Sequence, residues 1–245
     1  MGFDDATHAR HSRSPRLTPE LVALVARKVE DRGPAPGVVV HDDNDYEASI
    51  RSLLEAGSWD GGDAWVFAYG SLLWNPLFPF VEARRASLHG LHRRFCLWSL
   101  ASRGKPDAPG LVLGLDRGGS CRGVVYRLPA PCVIDELHLL WRREMVTGAY
   151  APRWLHVESE GRPVIALGFV VRRNHSQYTR KLTIDEQAEV IARACGAFGS
   201  SADYLERTRV ALATHGITDP YLERLAERVT ARGCGVTTPM EVHVG

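Results

Sequence analysis

The chain has 245 residues, 44% of them hydrophobic and 24% charged, with a formal net charge of +1. That make-up suits a globular protein of one ordinary domain plus extensions. It lacks the concentrated basic face that nucleic-acid binding needs, and no apolar run approaches membrane-spanning length. Local arginine clusters (Arg84-Arg85, Arg93-Arg94) read as solvated strand or loop faces. The five cysteines, Cys96, Cys121, Cys132, Cys195 and Cys234, are odd in number and widely spaced. No Cys-x-x-Cys occurs, so a zinc ribbon and a thioredoxin-like site are unsupported, and free thiols in a reducing compartment are expected. The acidic start Met1-Gly2-Phe3-Asp4-Asp5 holds no apolar signal core, and Ala6 breaks the myristoylation pattern. A cytoplasmic protein is expected.

In chain order, residues 1–16 are polar and read as disordered. Thr18 and Pro19 then open a helix with Leu21, Val22, Leu24, Val25 and Val29 at helical spacing, stopped by Gly33-Pro34. Residues 33–44 read as a linker, Asp45 to Ala56 as a further helix, and the main domain as starting near Ala64. Four short strands follow: Val81–Leu88, His92–Trp98, Leu111–Leu115 and Arg122–Leu128. Ser99–Gly110 is a long loop between strands, where function concentrates. Gly114–Gly119 reads as a hairpin turn rather than a phosphate loop, because no helix pattern follows it. Pro131–Met145 reads as a helix. Trp154–Glu158 and Val164–Arg172 read as strands joined at Gly161-Arg162. Thr183-Ile-Asp-Glu186 fits a capping box opening a helix to about Ala197. Ser201 caps a helix ending at Gly216, and Asp219-Pro220 opens another ending at Gly233. Strands followed by helices without βαβ alternation indicate an α+β fold, and short strands with Gly-rich turns suggest a small barrel. The expected division is a 1–63 extension, a 64–233 domain and a 234–245 tail.

Two places carry chemistry. The first is Trp65-Val-Phe-Ala-Tyr-Gly-Ser-Leu-Leu-Trp-Asn-Pro76, a buried strand that breaks at Gly70-Ser71. Glycine there admits close approach to the main chain, and the loop can offer N–H groups to an anion or carbonyl oxygen. The second is Glu144. At 100° per residue, Val133, Leu137, Leu140 and Trp141 form one apolar arc and Glu144 falls inside it, while Asp135, Arg142 and Arg143 lie toward the polar side. A buried carboxylate responds by raising its pKa, and the C-terminal end of a helix dipole pushes the same way. Such a group is either a proton shuttle near neutral pH or a staple salt-bridged to Arg103 or Arg143. The ten histidines are scattered and match no metal spacing, and Cys121 and Cys132 read as buried thiols.

Val66–Pro76 and Leu140-Trp-Arg-Arg-Glu-Met145 together resemble the ChaC-type gamma-glutamylcyclotransferases, the bacterial branch in particular. Ser102–Gly110 is similar to the family's Arg-Gly…Pro-Gly loop and Gly123–Pro129 to its Gly-Val-Ala-Tyr-Arg-x-Pro strand. Gly148-Ala-Tyr150 and Tyr204-Leu205 extend the resemblance over residues 64–232. The chain departs from the family pattern at Ala68, Lys105 and Leu111. The resemblance implies a gamma-glutamylcyclotransferase-like α+β fold, a small β-barrel with flanking helices. It also implies cleavage of glutathione to 5-oxoproline and Cys-Gly by cyclisation of the gamma-glutamyl group. It makes Glu144 the acid/base and Val66, Phe67, Ala68, Tyr69, Gly70, Ser71 and Leu72 the substrate loop, with Arg103 and Tyr150 as further substrate contacts. No metal or organic cofactor is implied, and no nucleic-acid or membrane partner; the oligomeric state is left open. Two alternatives stand beside this: action on other gamma-glutamyl amines or amino acids, and a non-enzymatic gamma-glutamyl-binding regulatory module.

Overall fold

A computed structural model of the chain describes residues 39–232. The expected helix after Thr18, the polar residues 1–16 and the tail after Gly233 lie outside the described residues. Five strands close a barrel: β1 (Ala64–Ala68), β2 (Glu82–Ser99), β3 (Gly110–Leu128), β4 (Tyr150–Ser159) and β5 (Arg162–Val171), in the order β1-β3-β2-β4-β5. Closure is parallel. β5 returns to β1 through Trp65↔Ala166 and Val66↔Leu167, and touches β3 at Leu115↔Val170. A closed barrel leaves no long sheet edge exposed. Val66, Phe67, Phe95, Leu113, Leu115, Val125, Leu167 and Phe169 from its strands are all buried, on the two faces of the barrel wall.

The four short strands expected between Val81 and Leu128 are two long ones. β2 and β3 pair from Glu82↔Arg127 to Ser99↔Gly110. Gly114–Gly119 is therefore not a hairpin turn but part of β3. Its glycines look like turn signals in the sequence, yet they serve a bulge. Gly118 and Gly119 take positive φ, 96° and 64°, where β3 advances from Ser120 to Arg117 while β2 advances only from His89 to Leu91. Bulges absorb an extra residue and bend a strand without ending it. The true β2–β3 connection is the loop of residues 100–109, and it is tightly pinned. A Cβ on Gly104 would lie 2.0 Å from the Gly110 nitrogen, so only glycine fits there.

The helices flank this barrel. α1 (Asp43–Glu55) starts two residues earlier than its expected first residue, Asp45, because Asp42 and Asp45 form a capping box. α1 packs against the barrel. Tyr46, Ile50 and Leu53 enter the common core, Trp154 Nε1 donates to the Leu53 carbonyl at 3.0 Å, and Asp43 pairs with Arg142 at 3.1 Å. α2 (Val133–Glu144) follows a 3₁₀ turn at Ala130–Cys132 and buries Val133, Leu137, Leu140 and Trp141, as its periodicity requires. α3 (Ile184–Arg193) opens on the expected Thr183–Glu186 capping box. It stops at Arg193 rather than near Ala197 because the chain turns extended at Ala194. The short strands β6 (Cys195–Gly196) and β7 (Gly199–Ser200) then pair with each other. α4 (Ser201–Thr214) is capped by Ser200, not Ser201. The Ser201 hydroxyl is buried and instead donates to the Arg103 carbonyl at 3.0 Å and accepts from the Leu111 N–H at 3.1 Å. α5 (Pro220–Thr230) is capped by Asp219, as expected.

Arg93, read as part of a solvated cluster, is only 4% exposed. Its guanidinium donates to the Tyr69 carbonyl at 2.5 Å and the Arg122 carbonyl at 2.6 Å, and pairs with Asp219. A buried guanidinium is tolerated where its donors all find acceptors. Asp219 lies far along the chain, so no local pattern announces the pair.

Candidate active site

β1 delivers the first group of site residues. Val66, Phe67 and Ala68 are buried and paired to Tyr126, Val125 and Val124, so their backbone belongs to the sheet. The chain leaves the sheet at Tyr69-Gly70 and turns through a 3₁₀ segment, Ser71–Leu73, which closes with Leu73 N–H donating to the Gly70 carbonyl at 3.0 Å. The opening residues of such a turn have no intrahelical acceptor for their N–H groups. Of the expected loop Val66–Leu72, Tyr69–Leu72 is thus the part free of the ladder. Arg93 fixes it from below through the Tyr69 carbonyl.

α2 delivers Glu144 as its last residue, with the side chain 14% exposed. Burial pushes its carboxyl above the ordinary range, and the neighbouring Arg143 guanidinium opposes that shift. Of the two arginines weighed as partners, Arg143 is the one that pairs, with Nε 3.0 Å from the carboxylate. Arg143 also donates to Ser71 Oγ at 2.7 Å and the Asn75 carbonyl at 2.5 Å. Glu144 and the β1 loop therefore meet through one guanidinium.

Three buried phenols feel the charge of this carboxylate. Tyr69 donates to the Phe169 carbonyl at 2.7 Å, and Tyr150, the first residue of β4, donates to the Leu113 carbonyl at 2.7 Å. Tyr204 comes from α4, and a Cβ on Gly70 would lie 2.9 Å from its hydroxyl. Burial raises the pKa of all three, with the Glu144 charge adding to each, and Tyr204 is pushed up to about 12. All three phenols stay protonated at neutral pH and serve as hydrogen-bond donors, not bases. Arg103 is placed against Tyr204 rather than Glu144. It pairs with Asp203 at 3.1 Å and lies over the rings of Tyr204 and Trp74, 5.4 and 5.6 Å from their centres. Leu111, one of the departures from the family pattern, is buried in the core.

Sequence patterning singled out Glu144 and the Tyr69–Leu72 turn, and the family resemblance added Tyr150 and Arg103 as substrate contacts. The sequence marked Tyr204 only through the Tyr204-Leu205 match and set Arg143 on the polar side of its helix. No period links Tyr69, Tyr150 and Tyr204, which come from three different elements. Among the described residues no three His, Cys, Asp or Glu side chains gather as a metal site would require, and Cys96, Cys121, Cys132 and Cys195 are free.

A mostly buried carboxylate whose charge reaches three neutral phenols, and which is tied through Arg143 to a backbone turn, has the chemistry that acid–base work needs. It sits on a barrel of the gamma-glutamylcyclotransferase type. A solved gamma-glutamylcyclotransferase specific to glutathione, from yeast, superposes with a TM-score of 0.65 at 25% identity, covering 69% of this chain and 96% of that one. The ChaC-like protein family model matches residues 64–232, and the chain belongs to that family. The glutathione-specific gamma-glutamylcyclotransferase of Escherichia coli K12 is 41% identical over 179 residues, 73% of this chain and 77% of its own. The glutathione-specific gamma-glutamylcyclotransferase 1 of Mus musculus is 30% identical over 182 residues, 70% of this chain and 82% of its own.

Proposed function

We propose that this chain is a glutathione-specific gamma-glutamylcyclotransferase, a carbon–nitrogen lyase that converts glutathione to 5-oxoproline and Cys-Gly. The observation that carries the reaction is the desolvated Glu144 carboxylate linked to the Tyr69–Leu72 turn. The gamma-glutamyl group brings its own nucleophile. Its α-nitrogen attacks the γ-carbonyl carbon, closing a five-membered ring, and the bond from that carbon to the cysteine nitrogen breaks. On its way to a lactam N–H the α-ammonium gives up two protons. The departing nitrogen gains two and leaves as the ammonium of Cys-Gly. Glu144 relays each in turn, and a raised carboxyl pKa makes transfer in both directions feasible near neutrality. Water is not consumed.

Such a reaction depends on folding a flexible substrate into an attack geometry, where orientation is worth effective molarities on the order of 10⁵ M or more. In this reading the turn at Tyr69–Leu72 holds the substrate's α-carboxylate or developing oxyanion, and the Tyr69, Tyr150 and Tyr204 rings shape the pocket. Arg103 acts on substrate through Tyr204. No helix among the described residues is long and apolar enough to cross a membrane. A glutathione substrate together with the free thiols supports a cytoplasmic setting.

The test is release of 5-oxoproline from millimolar glutathione by wild type and Glu144→Gln. Release by wild type and loss in a folded variant is expected. Release by Glu144→Gln at the wild-type rate would remove Glu144 from the mechanism. Wild-type protein that turns over gamma-glutamyl-alanine but not glutathione would move the substrate to the wider gamma-glutamyl class.

A further inference from the structure

We infer that Arg143 is a positioning residue of this active site, holding Glu144 in its ionised form and in register with the Ser71 turn; the inference rests on the reaction proposed above. Consecutive residues on a helix do not face each other, so the contact between Arg143 and Glu144 is not a product of helix geometry. The guanidinium is drawn across by acceptors on another element. Its Nη2 donates to Ser71 Oγ at 2.7 Å and its Nη1 to the Asn75 carbonyl at 2.5 Å, leaving Nε to meet the Glu144 carboxylate at 3.0 Å. The three contacts use the fork as a three-point bracket, which a lysine ammonium cannot copy.

This bracket answers a problem that Glu144 creates. The free enzyme needs an ionised Glu144 to accept the first proton, yet burial favours the protonated acid. Other groups that feel the carboxylate, Tyr69, Tyr150 and Tyr204, are neutral phenols and supply no positive charge. Arg103 is engaged with Asp203, and Arg142 with Asp43 on α1. Arg143 is thus the cation paired with Glu144, and its side chain is itself mostly buried, 19% exposed, so solvent screens the pair little. One N–H on each terminal nitrogen has no partner among the described residues, so the fork keeps donors in reserve beside the Ser71 turn.

The test uses the full chain and three variants, with fold checked by circular dichroism. In kcat/KM against pH, the acid limb reports ionisation of the base in the free enzyme. Arg143→Met should move that limb up by about one pH unit, since an opposite charge at this range lowers a carboxyl pKa by 1–3. It should also lower kcat/KM about tenfold or more. Arg143→Lys keeps the charge and should return the limb toward wild type while KM stays raised. Ser71→Ala should raise KM and leave the limb in place. A folded Arg143→Met with an unmoved limb and unchanged kcat/KM overturns the inference, as does a limb that Arg143→Lys fails to restore. The melting-temperature difference between Glu144→Gln and the parent, followed against pH with and without Arg143→Met, gives a readout free of turnover. Its onset should stay near the ordinary value of 4.5, and the pH at which it levels off should move up. Should wild type release no 5-oxoproline, the reaction assignment fails, and this second measurement alone decides the role of Arg143.

Discussion

Gly70→Ala tests the claim that the β1 turn and Tyr204 share one small space. The new Cβ would stand 2.9 Å from the Tyr204 hydroxyl and 3.7 Å from Leu113 Cβ, whereas ordinary contact begins near 3.4 Å. Something must therefore move by about 0.5 Å. Tyr204 is poorly placed to yield, because its ring meets Phe95 and Trp74 edge to face and carries the Arg103 guanidinium over it. The turn is held through Tyr69 by Arg93 and through Ser71 by Arg143. Overpacking of this kind costs about 1–3 kcal/mol of stability. A misplacement of 1 Å can cost on the order of 10²-fold in rate, so half that displacement should cost roughly tenfold in kcat/KM. The assay is 5-oxoproline release together with urea unfolding. Adding Tyr204→Phe to Gly70→Ala removes the clashing oxygen and should recover stability relative to Gly70→Ala alone. Wild-type kcat/KM and stability in Gly70→Ala, or no recovery in the double variant, would refute the shared-space argument.

Two further outcomes follow from the same geometry. Glu144 has a folded pKa above its ordinary value of 4.5, so between 4.5 and the raised value the folded state binds more protons than the unfolded state. Its contribution to stability is then present below 4.5 and lost as pH rises through the folded pKa. Glu144→Gln cannot ionise, so its melting temperature should gain on wild type across that window and run parallel above it. A flat or opposite difference would mean that Glu144 is not desolvated. Ile50→Ala tests whether α1 is part of the barrel domain. Ile50 is 4% exposed in the common core, so the truncation should cost about 2–4 kcal/mol in a single cooperative unfolding transition. A cost below roughly 0.5 kcal/mol would mark α1 as a detachable arm.

What the sequence disclosed was what short-range physics controls. The apolar arc of α2 exposed Glu144 as a misfit because four neighbours within the same helix define the buried face. The Thr183–Glu186 capping box and the Asp219-Pro220 start were legible because each is closed within a few residues. Features set by long-range closure were hidden. Gly90, Gly118 and Gly119 carry the same turn signature whether a strand ends or bulges, and only the pairing of β2 with β3 selects between them. Arg93 looks like any strand arginine until the fold brings the Tyr69 carbonyl and Asp219 to its guanidinium. Tyr204 and Arg143 reach the site through the Gly70–Asn75 turn that follows β1, a segment remote from both in sequence.

These long-range ties have a common logic. An enzyme whose substrate supplies its own nucleophile gains rate chiefly by orientation, so its demands fall on rigidity around the reacting atoms. Each group at the site is held by a second residue that is not itself placed against substrate. Arg93 holds the Tyr69 carbonyl, the Phe169 carbonyl receives the Tyr69 hydroxyl, the Leu113 carbonyl receives that of Tyr150, and Arg103 with Asp203 holds the Tyr204 ring. These supports come from β2, β3, β5, α4 and the pinned 100–109 loop, so the barrel's closure orders the site. The same architecture accepts a local cost, a carboxylate held where burial disfavours its charge, and a supporting shell keeps that group in place. Changes to the supporting residues should therefore reduce turnover through geometry while leaving the pH dependence to Glu144 and Arg143.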